Sequence, residues 1–349
     1  MSKEKETNIN PTENTHDCND VKVSIYDLIE EGIMDSNLPA EEKTSKLSRL
    51  MVLKNKPVNA LLVGPTGSGK SSTICAAFGR NVAKVGVGVD PTTEYIECYH
   101  LDNLILWDSP GLGEGLDDRR YKLELINKMN SLDQDGQPLI DLVILVADAA
   151  SKDLGTSYEL INTILKPCLG EEAEQRIIVA LNRSDIAMSG RHWDVERNEP
   201  DEVLLAFLEN KVESVSQRIL ETTGLHLMPI YYSAGYVEGD DEVRHPYNLT
   251  KLIYMILSRL PSGKRLAIYD QLDTSNSEHW CYNDDNLDYQ EQTRQSFLEA
   301  LSEFVSEGAA RGAEIGENLL GVPGKLLGTV LGTFFSGAVF SIKALFGKI

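Results

Sequence analysis

Gly64-Pro65-Thr66-Gly67-Ser68-Gly69-Lys70-Ser71 fits the pattern G-x-x-x-x-G-K-S and follows the apolar run Asn59-Ala-Leu-Leu-Val63. After a strand and at the start of a helix, this spacing suits a phosphate chain. The glycines let successive backbone N–H groups curl around an oxyanion, and the N-terminus of the following helix, with Ser72 in its first turn, adds further donors. Lys70 reaches the β and γ oxygens, and Ser71 offers its hydroxyl to Mg²⁺. A glycine-rich turn with a chance lysine is the bland alternative, and the strand and helix on either side argue against it.

Outward from that loop, short β-branched or aliphatic runs alternate with helical patterns. The runs span residues 93–100, 103–108, 141–148, 176–182 and 227–233, and Val203 to Glu221 carries one of the helical patterns. Buried strands alternating with helices imply an α/β fold with a mostly parallel sheet covered on both faces. The first two of these runs are separated by only a short Leu-Asp turn, which implies a hairpin and one antiparallel edge.

The remaining segments differ in composition. Residues 1–20 are polar and lack apolar period, so they read as a flexible tail. Residues 21–56 carry apolar residues at helical spacing over Val21 to Ile33 and Ala40 to Leu53, a helical lead-in with Pro39 where a helix can begin. Residues 57–262 form the main domain, with Tyr247 to Leu260 as its closing amphipathic helix. Residues 263–294 are polar and irregular and read as a linker, and residues 295–349 form a helical, glycine-rich C-terminal segment.

A formal net charge of −21 argues against nucleic-acid backbones, DNA included, as partners. Cys18, Cys75, Cys98, Cys168 and Cys281 are scattered without a C-x-x-C pair, and the start of the chain has no secretory signal, so a reduced, cytoplasmic protein is expected.

Three further motifs follow in order. Asp108-Ser-Pro-Gly111 ends the run Leu104–Trp107; a carboxylate at a strand's C-terminal end lies near the phosphates and holds Mg²⁺ through water, while the Gly111 N–H senses a γ-phosphate. Alone, D-x-x-G is an ordinary turn. Asn182-Arg183-Ser-Asp185 follows the run ending at Leu181, and the Asp185 carboxylate matches the N1–H and 2-amino edge of guanine, which adenine does not offer. Alone, N-x-x-D is a common helix cap. Ser233 and Ala234, after Tyr232, are small enough to let the backbone approach a base. A threonine able to close over Mg²⁺ is expected between the first two motifs; Thr93 is favoured, with Thr92 as the alternative that merely caps a strand.

In this order and at these separations, GPTGSGKSS, PTT, DSPG, NRSD and YSA resemble the five G motifs of the translation-factor-related GTPases. DSPGLGEG with LIDLVILVADA looks like the Era-type, ribosome-binding branch, and SGRHWDVERNEP with RHPYNLTKLIYMIL is similar to small, often prophage-borne bacterial GTPases of that branch. The resemblance covers roughly residues 57–262. It implies a Ras-like doubly wound sheet, a GTP/GDP switch that uses Mg²⁺ and hydrolyses GTP, Lys70 and Thr93 in catalytic positions, and mobile segments around Val85 to Thr93 and Leu112 to Arg120. Three residues depart from the pattern. Arg183 replaces the usual lysine, Gly67 stands where potassium-activated relatives carry asparagine, and Leu112 stands where Ras-like enzymes place a water-orienting glutamine. Leucine does not polarise water, so slow turnover, completed by self-association through this domain or by a partner, is implied. A septin-like assembly module with incidental turnover is the non-enzymatic alternative. Ribosome binding is less supported, since no basic RNA-binding domain is visible.

From Asn318 to Ile349 there are three lysines and no acidic residue, and glycines recur at Gly308, Gly312 and Gly316, then at Gly324, Gly328 and Gly332. Four-residue spacing lines small residues along one helix face. The segment reads either as a soluble helical hairpin packed on the main domain or as a surface that docks a protein partner or an anionic membrane, with the protein then peripheral to the membrane's inner face.

Overall fold

Val58–Val63 (β1) is buried along its whole length because it pairs in parallel on both sides, with Leu104–Asp108 (β3) and with Leu142–Asp148 (β4). Ile177–Asn182 (β5) and Ile230–Tyr231 (β8) continue the parallel pairing. Glu97–Leu101 (β2) closes the other edge antiparallel to β3. The resulting order, β2-β3-β1-β4-β5-β8, is the mostly parallel sheet with one antiparallel edge that the alternation implied. Two short hairpins, Trp193–Asp194 (β6) with Glu199–Pro200 (β7) and Tyr236–Glu238 (β9) with Glu242–Arg244 (β10), lie outside it. The computed structural model describes residues 24–35, 39–79, 96–101, 103–111, 118–238, 242–272, 280–284 and 286–306. The expected tail over 1–20, Thr92, Thr93, Leu112 and residues 307–349 lie outside the described residues.

The period-two alternation of strand side chains divides the core in two. Val58, Ala60, Leu62, Leu142, Ile144, Val146, Ile178 and Ala180 face one layer, while Leu61, Val63, Val143, Leu145, Ala147, Val179 and Leu181 face the other. The first layer is covered by Ile25–Asp35 (α1), Lys70–Phe78 (α3) and Leu249–Arg259 (α7), with Ala40–Lys54 (α2) packed against α1. The second layer is covered by Asp118–Met129 (α4), by α5, which passes from Gly155–Leu160 through a π turn at Ile161–Leu165 to Lys166–Leu169, and by Glu202–Thr223 (α6). α6 starts where Asp201 accepts from the Val203 and Leu204 N–H groups and stops at left-handed Gly224.

The reading of residues 263–294 as an irregular linker is corrected. Ser262–Gln271 is helical (α8), and Leu266, Ala267, Ile268 and Tyr269 are all buried. Tyr289–Ser306 (α9) begins before residue 295 and packs on α7 and α8. The sequence hid α8 because the helix is wedged between the sheet layer and α9, so it buries consecutive residues instead of a single stripe. Its polar side chains are tied down as well: Lys264 reaches Asp141 at 2.6 Å, and Asp270 accepts from the Ile25 N–H at 2.6 Å, closing the N-terminus of α1.

Candidate functional site

The carboxyl ends of β1, β3 and β5 converge, as a parallel sheet requires of the loops that follow its strands. The loop after β1 holds Gly64 to Gly69 before α3 opens at Lys70. Lys70 Nζ, buried, donates to the Gly64 and Pro65 carbonyls at 3.3 and 3.1 Å. Burial pushes its ammonium below the ordinary lysine value, and the nearby Asp108 carboxylate opposes that push. A buried cation satisfied by loop carbonyls is poised to exchange them for phosphate oxygens, which are stronger acceptors.

Asp108 ends β3 beside the loop. Its Oδ2 accepts from Ser71 Oγ at 2.6 Å, and its buried Oδ1 has no hydrogen-bond partner among the described residues. Burial raises the carboxyl above the ordinary aspartate value, while the Ser71 hydroxyl and the Lys70 charge pull it back. Gly111 lies so close to Thr66 that a Cβ on Gly111 would stand 2.0 Å from Thr66 Cα. The Asp108–Gly111 segment therefore touches the phosphate loop through a residue that has no side chain.

Asn182 joins the loop after β8 to the loop after β1. Its Nδ2 donates to the Ser68 carbonyl at 2.9 Å and its Oδ1 accepts from the Ala234 N–H at 3.0 Å. Ser233 is fixed by paired backbone bonds with Tyr247, at 2.9 and 3.0 Å. Asp185 is buried in a short 3-10 turn over Ser184–Ile186. Arg183 has left-handed backbone, φ 64°, and sends its guanidinium to Asp148 Oδ2 at 3.1 Å. A cleft of about 240 Å³ is lined by Gly67, Gly69, Lys70, Ser71, Ser72 and Arg183. The structure thus brings together the loop residues Gly64 to Ser72, Asp108, Gly111, Asn182, Arg183, Ser233 and Ala234.

Residues 59–183 match the family described as 50S ribosome-binding GTPase. This stretch is similar to P-loop GTPase domains. No curated protein matches the chain. Among solved structures, the LeoA bacterial dynamin GTPase from ETEC is 14% identical with a TM-score of 0.40, and the match covers 80% of this chain and 46% of that one. Toc33 from Arabidopsis thaliana in complex with Mg²⁺ and GMPPNP is 17% identical with a TM-score of 0.39, covering 70% and 98%. A GTP-binding protein from Sulfolobus solfataricus in complex with GDP is 19% identical with a TM-score of 0.30, covering 61% of each chain. Likenesses this distant transfer no activity to the chain, which spans under half the length of LeoA.

At the end of β3, the donor set at Asp108 fits Mg²⁺. A buried carboxylate and an adjacent serine hydroxyl are hard oxygen ligands of the kind Mg²⁺ takes, alongside phosphates and water. Ser71 and Asp108 would hold the ion, which would neutralise charge on the phosphates.

Sequence reasoning missed Asp148 as the partner of Arg183. Asp148 ends β4 in register with Asn182, a pairing that only the sheet reveals. The same reasoning also missed Tyr247 and the Tyr232 hydroxyl, whose roles come from contacts far apart in the chain.

Proposed function

We propose that this protein is a GTP-hydrolysing switch that uses Mg²⁺ and turns over slowly by itself. The observation that carries the reading is the convergence of Lys70, the Ser71–Asp108 pair and the Asn182 bridge at the carboxyl ends of the strands, with the Asn182 side chain joining a phosphate loop to a base-facing loop. Asp185 would select guanine by accepting from its N1–H and 2-amino groups, and Thr93 would close over the ion when the γ-phosphate is present. Leu112 after Gly111 supports slow turnover, since no water-orienting side chain stands there. Activation would come from self-association or a partner.

The test is turnover of GTP and of ATP with Mg²⁺ across a protein concentration series. Lys70→Ala is expected to lower GTP turnover by about 100-fold or more, the scale of losing a positioned charge at a transition state. Specific activity rising with concentration would support completion by self-association. Tight GTP binding without turnover at any concentration would favour the septin-like module, and ATP preference would overturn the role given to Asp185.

The lysines and the lack of acids over 318–349 support docking of the C-terminal segment to an anionic membrane. Among the described residues no helix is long and apolar enough to cross one. Flotation with liposomes of anionic lipid, with and without residues 307–349, tests the docking; equal recovery of both forms removes it.

A further inference from the structure

Tyr232 is fully buried, yet it carries a hydroxyl into the space between the sheet and α3. The phenol oxygen lies 2.7 Å from Thr73 Oγ1, and Thr73 Oγ1 donates to the Gly69 carbonyl at 2.7 Å. A threonine hydroxyl has one proton, so Tyr232 is the donor in the first bond. The result is a directed relay from the Tyr232 hydroxyl to the Thr73 hydroxyl to the Gly69 carbonyl, which belongs to the residue just before Lys70. Burial holds the phenol above its ordinary value, which keeps the donor protonated.

The main chain of the same residue holds the base side. Tyr232 N donates to the Leu181 carbonyl at 2.9 Å, and the Tyr232 carbonyl accepts from the Ser184 N–H, next to Asp185, at 3.1 Å. Ser233, one residue on, begins the loop whose Ala234 N–H bonds Asn182. Phosphate loop, N-R-S-D segment and Y-S-A loop therefore meet at Tyr232. The relay is separate from the Asn182 bridge, which reaches Ser68 instead.

We infer that Tyr232 is a positioning residue that couples the base-facing loops to the phosphate loop, so that loss of its hydroxyl loosens the hold on a bound nucleotide. The inference rests on the GTP-binding reading above. Buried hydroxyls in series strengthen one another, and Tyr232 and Thr73 are both buried.

The experiment compares the full-length wild type with Tyr232→Phe, Thr73→Val and the double variant, measuring GDP affinity with Mg²⁺ and each protein's unfolding midpoint. Affinities are read well below every midpoint. Tyr232→Phe is expected to weaken GDP binding by about fivefold, the scale of one buried hydrogen bond. The double variant should bind no more weakly than Thr73→Val alone, because both changes break one relay. A lowered midpoint with GDP affinity unchanged would reduce Tyr232 to a core residue and overturn the inference, as would additive losses in the double variant. Failure of the wild type itself to bind GDP would sink the underlying reading and the inference together, an outcome distinct from a null effect of Tyr232→Phe.

Discussion

Gly64 has φ +144°, and a Cβ there would stand 2.0 Å from the Val146 carbonyl oxygen. An L side chain would meet both a disfavoured backbone region and a neighbouring strand that has no room to move. Gly64→Ala is therefore expected to cost about 1–3 kcal/mol from backbone strain alone and to displace the loop that Lys70 depends on. Urea unfolding checks the stability and GDP titration checks the site; a variant with unchanged midpoint and affinity would show that the loop tolerates the methyl group. Residue-scale chemistry of this kind was legible in the sequence wherever consecutive residues act together. The G-x-x-x-x-G-K-S spacing works through neighbouring backbone N–H groups, so a short stretch of chain carries its own chemistry. The Arg183–Asp148 pair was not legible, since Asp148 ends β4 while Arg183 follows β5, far along the chain.

Between elements, the stretch after α8 returns to the edge of β8 through a buried ion pair. Lys251 on α7 reaches Asp284 Oδ2 at 2.5 Å, and the Asp284 side chain has no exposed surface. Asn248 also donates to Asp284 Oδ2, at 3.2 Å, and the Lys251 ammonium lies 5.0 Å from the centre of the Tyr231 ring and 5.5 Å from that of Tyr289. Asp284→Ala leaves the Lys251 charge without its partner and is expected to destabilise by about 3–5 kcal/mol near neutral pH, read as a lower urea midpoint. Burial pushes the Asp284 carboxyl up, but the hydrogen bond and charge of Lys251 prevail and hold it below its ordinary 3.8. A depressed folded value means the stabilisation is complete above 3.8 and is lost as pH falls through the folded value. The gap between wild type and Asp284→Ala should accordingly narrow only below that point; a gap that stays constant down to the lowest pH would show that the ion pair is not its source. The polar run that suggested a linker contains this anchor, and its acidic and aromatic residues read as loop because their partners are on α7.

Across the molecule, one core layer runs without a break from Ile25 to Ala300 and includes Leu266, Ile268, Leu272, Trp280 and Phe297. Each such side chain contributes about 1.5–3 kcal/mol when fully buried, so losing all five removes an amount on the order of a domain's net stability, about 5–15 kcal/mol. A chain ending at Leu260 is expected to lose cooperative unfolding by circular dichroism, although every nucleotide motif remains in it. Retention of a sharp transition would show that residues 1–260 fold without α8 and α9. By itself the sequence determined the α/β class, the mostly parallel sheet with its antiparallel edge and the motif residues, because strand alternation and phosphate binding are local in the chain. Only the tertiary structure decided that α8 belongs to the core, and that Asn182 meets Ser68 across 114 residues, Thr73 meets Tyr232 across 159, and Asp270 closes α1 across 245. Such pairs form where the packing of layers brings distant chain together, and no local period records that packing.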